Sequence, residues 1–309
     1  MSSIEVKKKY EDMLLKQSGV VGVGINGSII IYVEKKTPQL LRMLPQTLDG
    51  VPVKIVEVGR ITLQAIPVAS AVFSDRIARR RPVVAGISIG HPEVTAGTLG
   101  CFVERGGELF GLSCNHVVAL RWGELNIGEK GDDILQPGPA DGGTQADKIG
   151  ELEDWVDVKD GATIDAGIFH LTTDFKKYIE DVGVQSHSVE PYVGMIVKKS
   201  GRSTGLTYGR IMDVNATITV SAWGDVRFTD CIITAPPISV PGDSGSWVGD
   251  PNDRSVALVF AGSDKVSVLC KAINIEKELG VRFAGYLPYL SPIPPVAFGL
   301  TGMFMMMRR

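Results

Sequence analysis

The sequence predicts a mainly β protein, with a small α+β unit ahead of a larger body of short strands. Three observations predict it. Glycine (36 residues) and proline (17 residues) recur between many short apolar runs, the pattern of strands joined by turns. Residues 1–60 carry signals in the order α-β-β-α-β. From residue 83 the pattern changes to closely spaced strand signals that continue to about residue 284.

Composition bounds the rest. The chain has 309 residues, 44% hydrophobic and 22% charged, enough for about two domains with a sizeable core. Net charge is −3 with no strongly basic half, which argues against nucleic acid as the main partner. Behind Lys7, Lys8 and Lys9 there is no apolar stretch of the kind a signal peptide needs, and no run is long enough to span a membrane. The expected location is cytoplasmic. The four cysteines form no CxxC pair, so reduced thiols are expected, with no metal and no cofactor.

The chain divides into four parts. Residues 1–74 form the small α+β unit. A helix is expected over 3–17, with Val6, Tyr10, Met13, Leu14 and Gln17 on one face and a capping box between Ser2 and Glu5. Strands over 20–25 and 28–34 flank Asn26-Gly27, a strong hairpin signal. Thr37-Pro38 starts a second helix reaching Met43, and 51–58 reads as a third strand. With no cluster of nucleophiles or bases, this unit reads as a structural or docking module. Residues 75–82 read as a solvated basic linker containing Arg76, Arg79, Arg80 and Arg81; Pro82 argues against tryptic processing after Arg81. Residues 83–287 form the main body. A hairpin turns at Gly106-Gly107 between strands 98–104 and 108–113. Further strands are expected over 148–152, 166–171, 195–199, 209–213, 216–221, 230–234, 246–249, 256–261 and 268–273, before a short helix over 274–279 that Gly280 stops. The tail, 288–309, is proline-rich and then methionine-rich and apolar. It suits docking on its own body or on a second copy, which leaves room for a homo-oligomer.

The chemistry gathers at Pro241-Gly242-Asp243-Ser244-Gly245-Ser246-Trp247. Small neighbours let a substrate carbonyl approach Ser244, and the backbone N–H groups of Gly242 and Ser244 can converge where an oxyanion would sit. The string becomes informative only with a base and a carboxylate elsewhere. Of the four histidines, His91 lies in a turn, His170 alternates with apolar neighbours, and His187 lies in a polar loop. His116 ends a strand among anchoring apolar residues, which suits a general base whose ring must be held fixed. Asp165 enters the apolar stretch Ala166-Gly167-Ile168-Phe169, where a carboxylate is costly unless partnered; a cap or turn role is the alternative, and Asp160 is its nearest rival. The order His116, Asp165, Ser244 matches one of the known triad orders. The α/β-hydrolase elbow fails, because Ser246 stands where its second glycine belongs.

Residues 83–284 resemble the chymotrypsin-like serine peptidases. Within them, the resemblance is to the bacterial group of α-lytic protease and streptogrisin. It rests on Ser200-Gly201-Arg202-Ser203-Thr204-Gly205 and on Gly242-Asp243-Ser244-Gly245-Ser246-Trp247. Residues 112–119 and Gln136-Pro137-Gly138 also resemble a bacterial and archaeal branch shared with the plant narrow-leaf proteins. The resemblance implies a chymotrypsin-like double six-stranded β-barrel and a serine endopeptidase acting on protein or peptide. Ser244 would be the nucleophile, His116 the general base and acid, and Asp165 its orienter. Gly242 and Ser244 would form the oxyanion hole. Arg202 would be the buried ion-pair partner of Asp243, so no cleaved N-terminus would be needed. Ile238 would floor the substrate pocket, and Phe260, Ala261 and Gly262 would wall it, favouring apolar side chains. Relatives often carry a disulfide near Cys101 and Cys114; here the hairpin register sets Cys101 opposite Leu112, which argues against it. Two other readings fit the same motifs: a non-catalytic protease-fold scaffold or peptide binder, and a protease that processes only itself.

Overall fold

The computed structural model describes residues 2–63, 74–120, 124, 126–221 and 224–283. The tail 288–309 lies outside them, as do the last residues of the main body and of the N-terminal unit.

The N-terminal unit runs α1 (Ser3–Leu15), β1 (Val20–Ile25), β2 (Ile29–Val33), α2 (Pro38–Met43), β3 (Thr47–Leu48), β4 (Val51–Glu57) and β5 (Thr62–Leu63). The Ser2–Glu5 capping box forms, and Thr37 caps α2 with Pro38 in its first turn. Val6 and Leu14 of α1 pack on Val20, Val23, Ile29, Ile31 and Val33. Met13, expected on that face, is exposed, and Gln17 lies beyond the helix end.

After α3 (Ser74–Ile77) come β6 (Val83–Ala85), β7 (Ser88–Ile89), β8 (Gly97–Thr98), β9 (Cys101–Arg105), β10 (Glu108–Ser113), α4 (Asn115–Val118), β11 (Asp133–Leu135), β12 (Lys148–Trp155), β13 (Gly167–Leu171) and β14 (Phe175–Ile179). The order β11-β12-β13-β10-β9 forms a five-stranded sheet, flanked by the short pairs β7–β8 and β6–β14. Cys101 pairs with Leu112 as the turn at Gly106-Gly107 dictates, and all four cysteines are buried thiols. Burial pushes each of them above the ordinary thiol range, Cys270 to about 12.

The remaining elements are β15 (Ser186–Ser188), β16 (Ile196–Gly201), β17 (Gly205–Ser221), β18 (Asp225–Thr234), β19 (Trp247–Gly249), β20 (Arg254–Gly262), β21 (Ser267–Lys271) and α5 (Ala272–Leu279). Six of these strands close on themselves in the order β16-β19-β20-β21-β18-β17, with β17 returning to β16. The second barrel is thus six-stranded as expected, whereas the first is a five-stranded sheet completed by short pairs. The two expected strands over 209–213 and 216–221 are one 17-residue strand, β17. It passes Asp213 through irregular register because the carboxylate is buried and accepts from Tyr32 Oη (2.9 Å), Ile25 N (2.9 Å) and Asn215 N (2.8 Å).

Those bonds belong to a seam absent from the sequence reading. β1 pairs with β17, Gly22 opposite Ile218 and Val23 opposite Thr217, so the small unit continues the sheet of the second barrel. The glycines of β1 make this possible: a Cβ on Gly24 would lie 1.8 Å from Asp213 Oδ2. The basic stretch expected as a solvated linker is only partly so: Arg79 is exposed, but Arg76 and Arg81 are drawn in. Arg76 is buried, donating to Gly86 O (2.6 Å) and Ser200 Oγ (2.9 Å) and pairing with Asp181 (2.5 Å). Arg81 holds Gln136 Oε1 at 2.5 Å. A guanidinium at a bend between elements can satisfy several carbonyls at once, so it is drawn in instead of left in water. Among the described residues no helix is long and apolar enough to cross a membrane.

Candidate active site

His116 sits in the single turn α4, which follows β10 directly. Neighbouring bonds hold the turn: Ser113 Oγ donates to Thr98 O (2.7 Å), Cys114 Sγ to Val259 O (3.1 Å) and Asn115 Nδ2 to Val156 O (2.7 Å). Asp165 stands just before β13. One of its carboxylate oxygens lies 2.5 Å from His116 Nδ1, and the other accepts the backbone N–H of His116 at 3.2 Å. Both residues are fully buried. Gripping ring and backbone together fixes the imidazole's orientation and favours a proton on Nδ1, leaving Nε2 basic. The rival Asp160 is used elsewhere, accepting Arg227 N at 2.9 Å. His91 faces Asp132 (3.4 Å), His170 lies beside Phe110, and His187 bonds its neighbour Ser186.

Ser244 approaches this turn from the second barrel. Its carbonyl accepts Thr98 N at 2.8 Å. Gly97 is wedged between Val117 and Ser244 O: a Cβ there would lie 2.4 Å from Val117 Cγ2 and 3.0 Å from that oxygen. Gly245, at φ +88°, packs so closely on the Ser113-Cys114 segment that a Cβ would lie 2.2 Å from Ser113 Oγ. The serine loop and the histidine turn therefore share one seam between the barrels. The Ser244 hydroxyl donates to Phe260 O at 3.3 Å. Asp243 N, Gly245 N and Ser246 N are bonded to Val240 O, Val259 O and Asp243 O. Among the described residues the N–H groups of Gly242 and Ser244 meet no protein acceptor.

The expected Arg202–Asp243 ion pair does not form. Arg202 grips Asp141 instead, Nε at 2.6 Å and Nη2 at 2.5 Å, tying the second barrel to the first. Asp243 is buried and accepts from Ser203 N (2.9 Å), Thr204 N (3.2 Å), Val240 N (3.1 Å) and Thr204 Oγ1 (2.6 Å). Its counter-charge is the fully buried Lys199, 3.4 Å away. Lys199 also donates to Gly205 O at 2.9 Å and to the Thr204 hydroxyl. Arg202 lies beside the loop, its Nη1 2.5 Å from where a Gly242 Cβ would be, but the carboxylate points toward β16. Burial lowers the lysine's pKa, and Asp243 partly restores it. The sequence gives little signal for this pair: Lys199 stands between Lys198 and Ser200 in β16, and its burial is what makes the charge need a partner.

The expected pocket is also revised. Ile238 packs into the core of the second barrel with Val197, Ile211 and Val248, its Cγ2 pressed against Gly209. The Phe260 ring packs against Phe228, the centroids 4.6 Å apart and the planes tilted by 46°. Ala261 and Gly262 are paired with Leu63 and Thr62 of β5. Apolar strand residues next to an apolar core fill it before they line a cleft. Cys114, His116 and Asp165 bring potential metal-ligating atoms within 4.8 Å of one another. Burial and the nearby Asp165 raise the Cys114 thiol well above its ordinary range.

Two barrels meeting at a seam that carries histidine, aspartate and serine in that chain order define the fold class of the chymotrypsin-like bacterial serine proteases. Protease A of Thermobifida fusca is similar at a TM-score of 0.50 and 16% identity, over 66% of this chain and 98% of that one. A glutamic acid-specific serine protease is similar at 0.49 and 19%, over 65% and 100%. The chymotrypsin of Cellulomonas bogoriensis is similar at 0.46 and 18%, over 65% and 97%. No protein-family model matches the sequence, and no curated protein is similar to it in sequence.

Proposed function

We propose that the protein is a serine endopeptidase. The observation that carries this reading is the buried His116–Asp165 pair, with the carboxylate gripping both Nδ1 and the backbone N–H of the histidine. Ser244 lies on the loop packed against the same turn. In the reaction, Ser244 Oγ attacks the scissile carbonyl carbon, and its proton passes to His116 Nε2. The N–H groups of Gly242 and Ser244 hold the oxyanion. Collapse of that intermediate breaks the C–N bond while His116 returns the proton to the leaving amine, and water then hydrolyses the acyl-enzyme by the same route. Each oxyanion donor contributes about 3–4 kcal/mol to such a step. Lys199 and Asp243 position the loop and touch no reacting atom.

Prolonged incubation with a fluorophosphonate probe, followed by mass spectrometry, tests the reading. Wild type should gain one adduct on Ser244, and Ser244→Ala none. A folded wild-type protein that stays unlabelled at millimolar probe would overturn the enzyme reading in favour of a non-catalytic scaffold.

A further inference from the structure

Each peptide group beside Gly242 is held by a hydroxyl. Ser203 Oγ donates to Pro241 O (2.8 Å), and Thr98 Oγ1 donates to Gly242 O (3.0 Å). Both hydroxyls accept from one residue: Arg202 Nη1 donates to Ser203 Oγ (3.0 Å), and Arg202 N donates to Thr98 Oγ1 (3.0 Å). A guanidinium or backbone N–H can only donate and a carbonyl can only accept, so each hydroxyl proton is sent to the serine loop. Arg202, Ser203 and Thr98 are all buried. The guanidinium is itself fixed by Asp141. Asp141 also accepts Ser88 Oγ, which accepts Gly138 N at 3.0 Å. The support therefore runs from the first barrel into the serine loop of the second.

We infer that Arg202, acting through the hydroxyls of Ser203 and Thr98, sets the Gly242 half of the oxyanion hole, and that Ser203 and Thr98 are positioning residues for the reaction. This rests on the endopeptidase reading. The Pro241–Gly242 peptide is trans, so its carbonyl and its N–H point in opposite directions. Pinning Pro241 O on Ser203 therefore aims the Gly242 N–H away from Ser203, where it meets no protein acceptor among the described residues.

Gly242 makes such support necessary. It sits at φ +96°, and a Cβ there would lie 2.2 Å from Ser203 Oγ. A glycine accepts either sign of φ readily, so an unsupported Pro241–Gly242 peptide can turn over and point its carbonyl where the N–H should be. The Ser203 hydroxyl opposes that turn. The other donor is fixed from within the loop: Asp243 O accepts Ser246 N at 3.0 Å, which aims the Ser244 N–H the opposite way. Removing the Ser203 hydroxyl thus disables one donor and spares the other. Arg202 serves the serine loop without pairing with Asp243, and the docking of the two barrels through Asp141 sets the Gly242 side of the oxyanion hole.

The rate of fluorophosphonate labelling tests this. Ser244 Oγ displaces fluoride from phosphorus, His116 takes the serine proton, and the phosphoryl oxygen lies in the hole. Ser203→Ala should slow labelling about 10²–10³-fold at saturating probe, the loss seen when one oxyanion donor is removed. The half-saturating probe concentration and the pH midpoint of labelling should keep their wild-type values, because the His116–Asp165 pair is untouched; a merely loosened fold would move them as well. Ser203→Thr, which keeps the hydroxyl, should restore most of the rate. Thr98→Val removes the other hydroxyl, should slow labelling in the same way, and decides the matter if Ser203→Ala does not fold. A labelling wild type beside a folded hydroxyl-less variant slowed by less than about tenfold, or a Ser203→Thr variant as slow as Ser203→Ala, would overturn the inference while leaving the endopeptidase reading standing. A folded wild type that never labels on Ser244 would overturn that reading, and the inference with it.

Discussion

The charge partner of Asp243 decides how the serine loop is held, and a pair of double-mutant cycles measures it. Lys199 Nζ lies 3.4 Å from Asp243 with both side chains wholly buried. At an effective dielectric of about 20, Coulomb's law gives about 5 kcal/mol at that distance. Desolvation of the ammonium offsets part of this, and four other donors continue to serve the carboxylate. Lys199→Met should therefore cost only about 1–3 kcal/mol. Asp243→Asn leaves a buried ammonium with only Gly205 O and the Thr204 hydroxyl, and should cost about 3–5 kcal/mol. The double variant should cost less than the two singles added, with a coupling of about 2–4 kcal/mol. Arg202→Met should couple to Asp141→Asn, whose bidentate contact it loses, and by less than about 1 kcal/mol to Asp243→Asn. Urea unfolding followed by tryptophan fluorescence reads all of these, since buried Trp247 adjoins the loop. A larger coupling of Asp243 to Arg202 than to Lys199 would refute the assignment.

Three further outcomes are expected. Because burial holds Lys199 below its ordinary 10.5, the folded state binds fewer protons than the unfolded one between the lowered value and 10.5. Stability should rise with pH across that window, by up to about 1.4 kcal/mol per pH unit, and Lys199→Met should flatten the rise in urea midpoints. Asp165→Asn should slow fluorophosphonate labelling of Ser244 by about 10⁴-fold, the size seen when the orienting carboxylate of such a triad becomes an amide; a loss under tenfold would remove Asp165 from the role. Gly24→Ala puts a methyl group 1.8 Å from Asp213 Oδ2 and 2.8 Å from Tyr32 Cε2, so it should destabilise by at least about 2 kcal/mol in the same unfolding assay, and a cost under 0.5 kcal/mol would mean that the β1–β17 seam yields freely.

Local signals carried much of this structure. Asn26-Gly27, Gly106-Gly107 and Gly280 each fixed a turn by positive-φ chemistry, and all three stand where the residues put them. Asp165 was legible because a carboxylate beside an apolar strand needs a partner, and the partner is His116. The partner of Asp243 carried no such mark, because Lys199 stands between Lys198 and Ser200. It was obscured because Arg202 lies nearby, and spacing alone does not say which way a carboxylate points. Register across long separations was beyond reach: nothing local sets β1 on β17, 194 residues apart at Val23 and Thr217, or a two-residue strand on β20. Even so, the glycines of β1 record it, since β-branched neighbours around Gly22 and Gly24 imply a close backbone approach.

That seam governs how the N-terminal unit can be studied. Removing residues 1–63 would take away β5, but also β1, which covers β17 at Thr217 and Ile218, and the Tyr32 and Ile25 groups that satisfy buried Asp213. Asp213 is already held above its ordinary range, chiefly by burial. Stripped of donors it would be either an unpaired buried carboxylate or a newly wetted core, and the uncovered stretch of β17 would become an open strand edge prone to pairing between copies. The truncated chain should therefore associate or unfold at moderate temperature, which light scattering during a thermal ramp would show. A monomeric truncation as stable as the full chain would mean that the β1–β17 seam contributes nothing. On the present geometry the N-terminal unit and the support of the second barrel are one structural unit, joined at β1–β17 and at β5–β20.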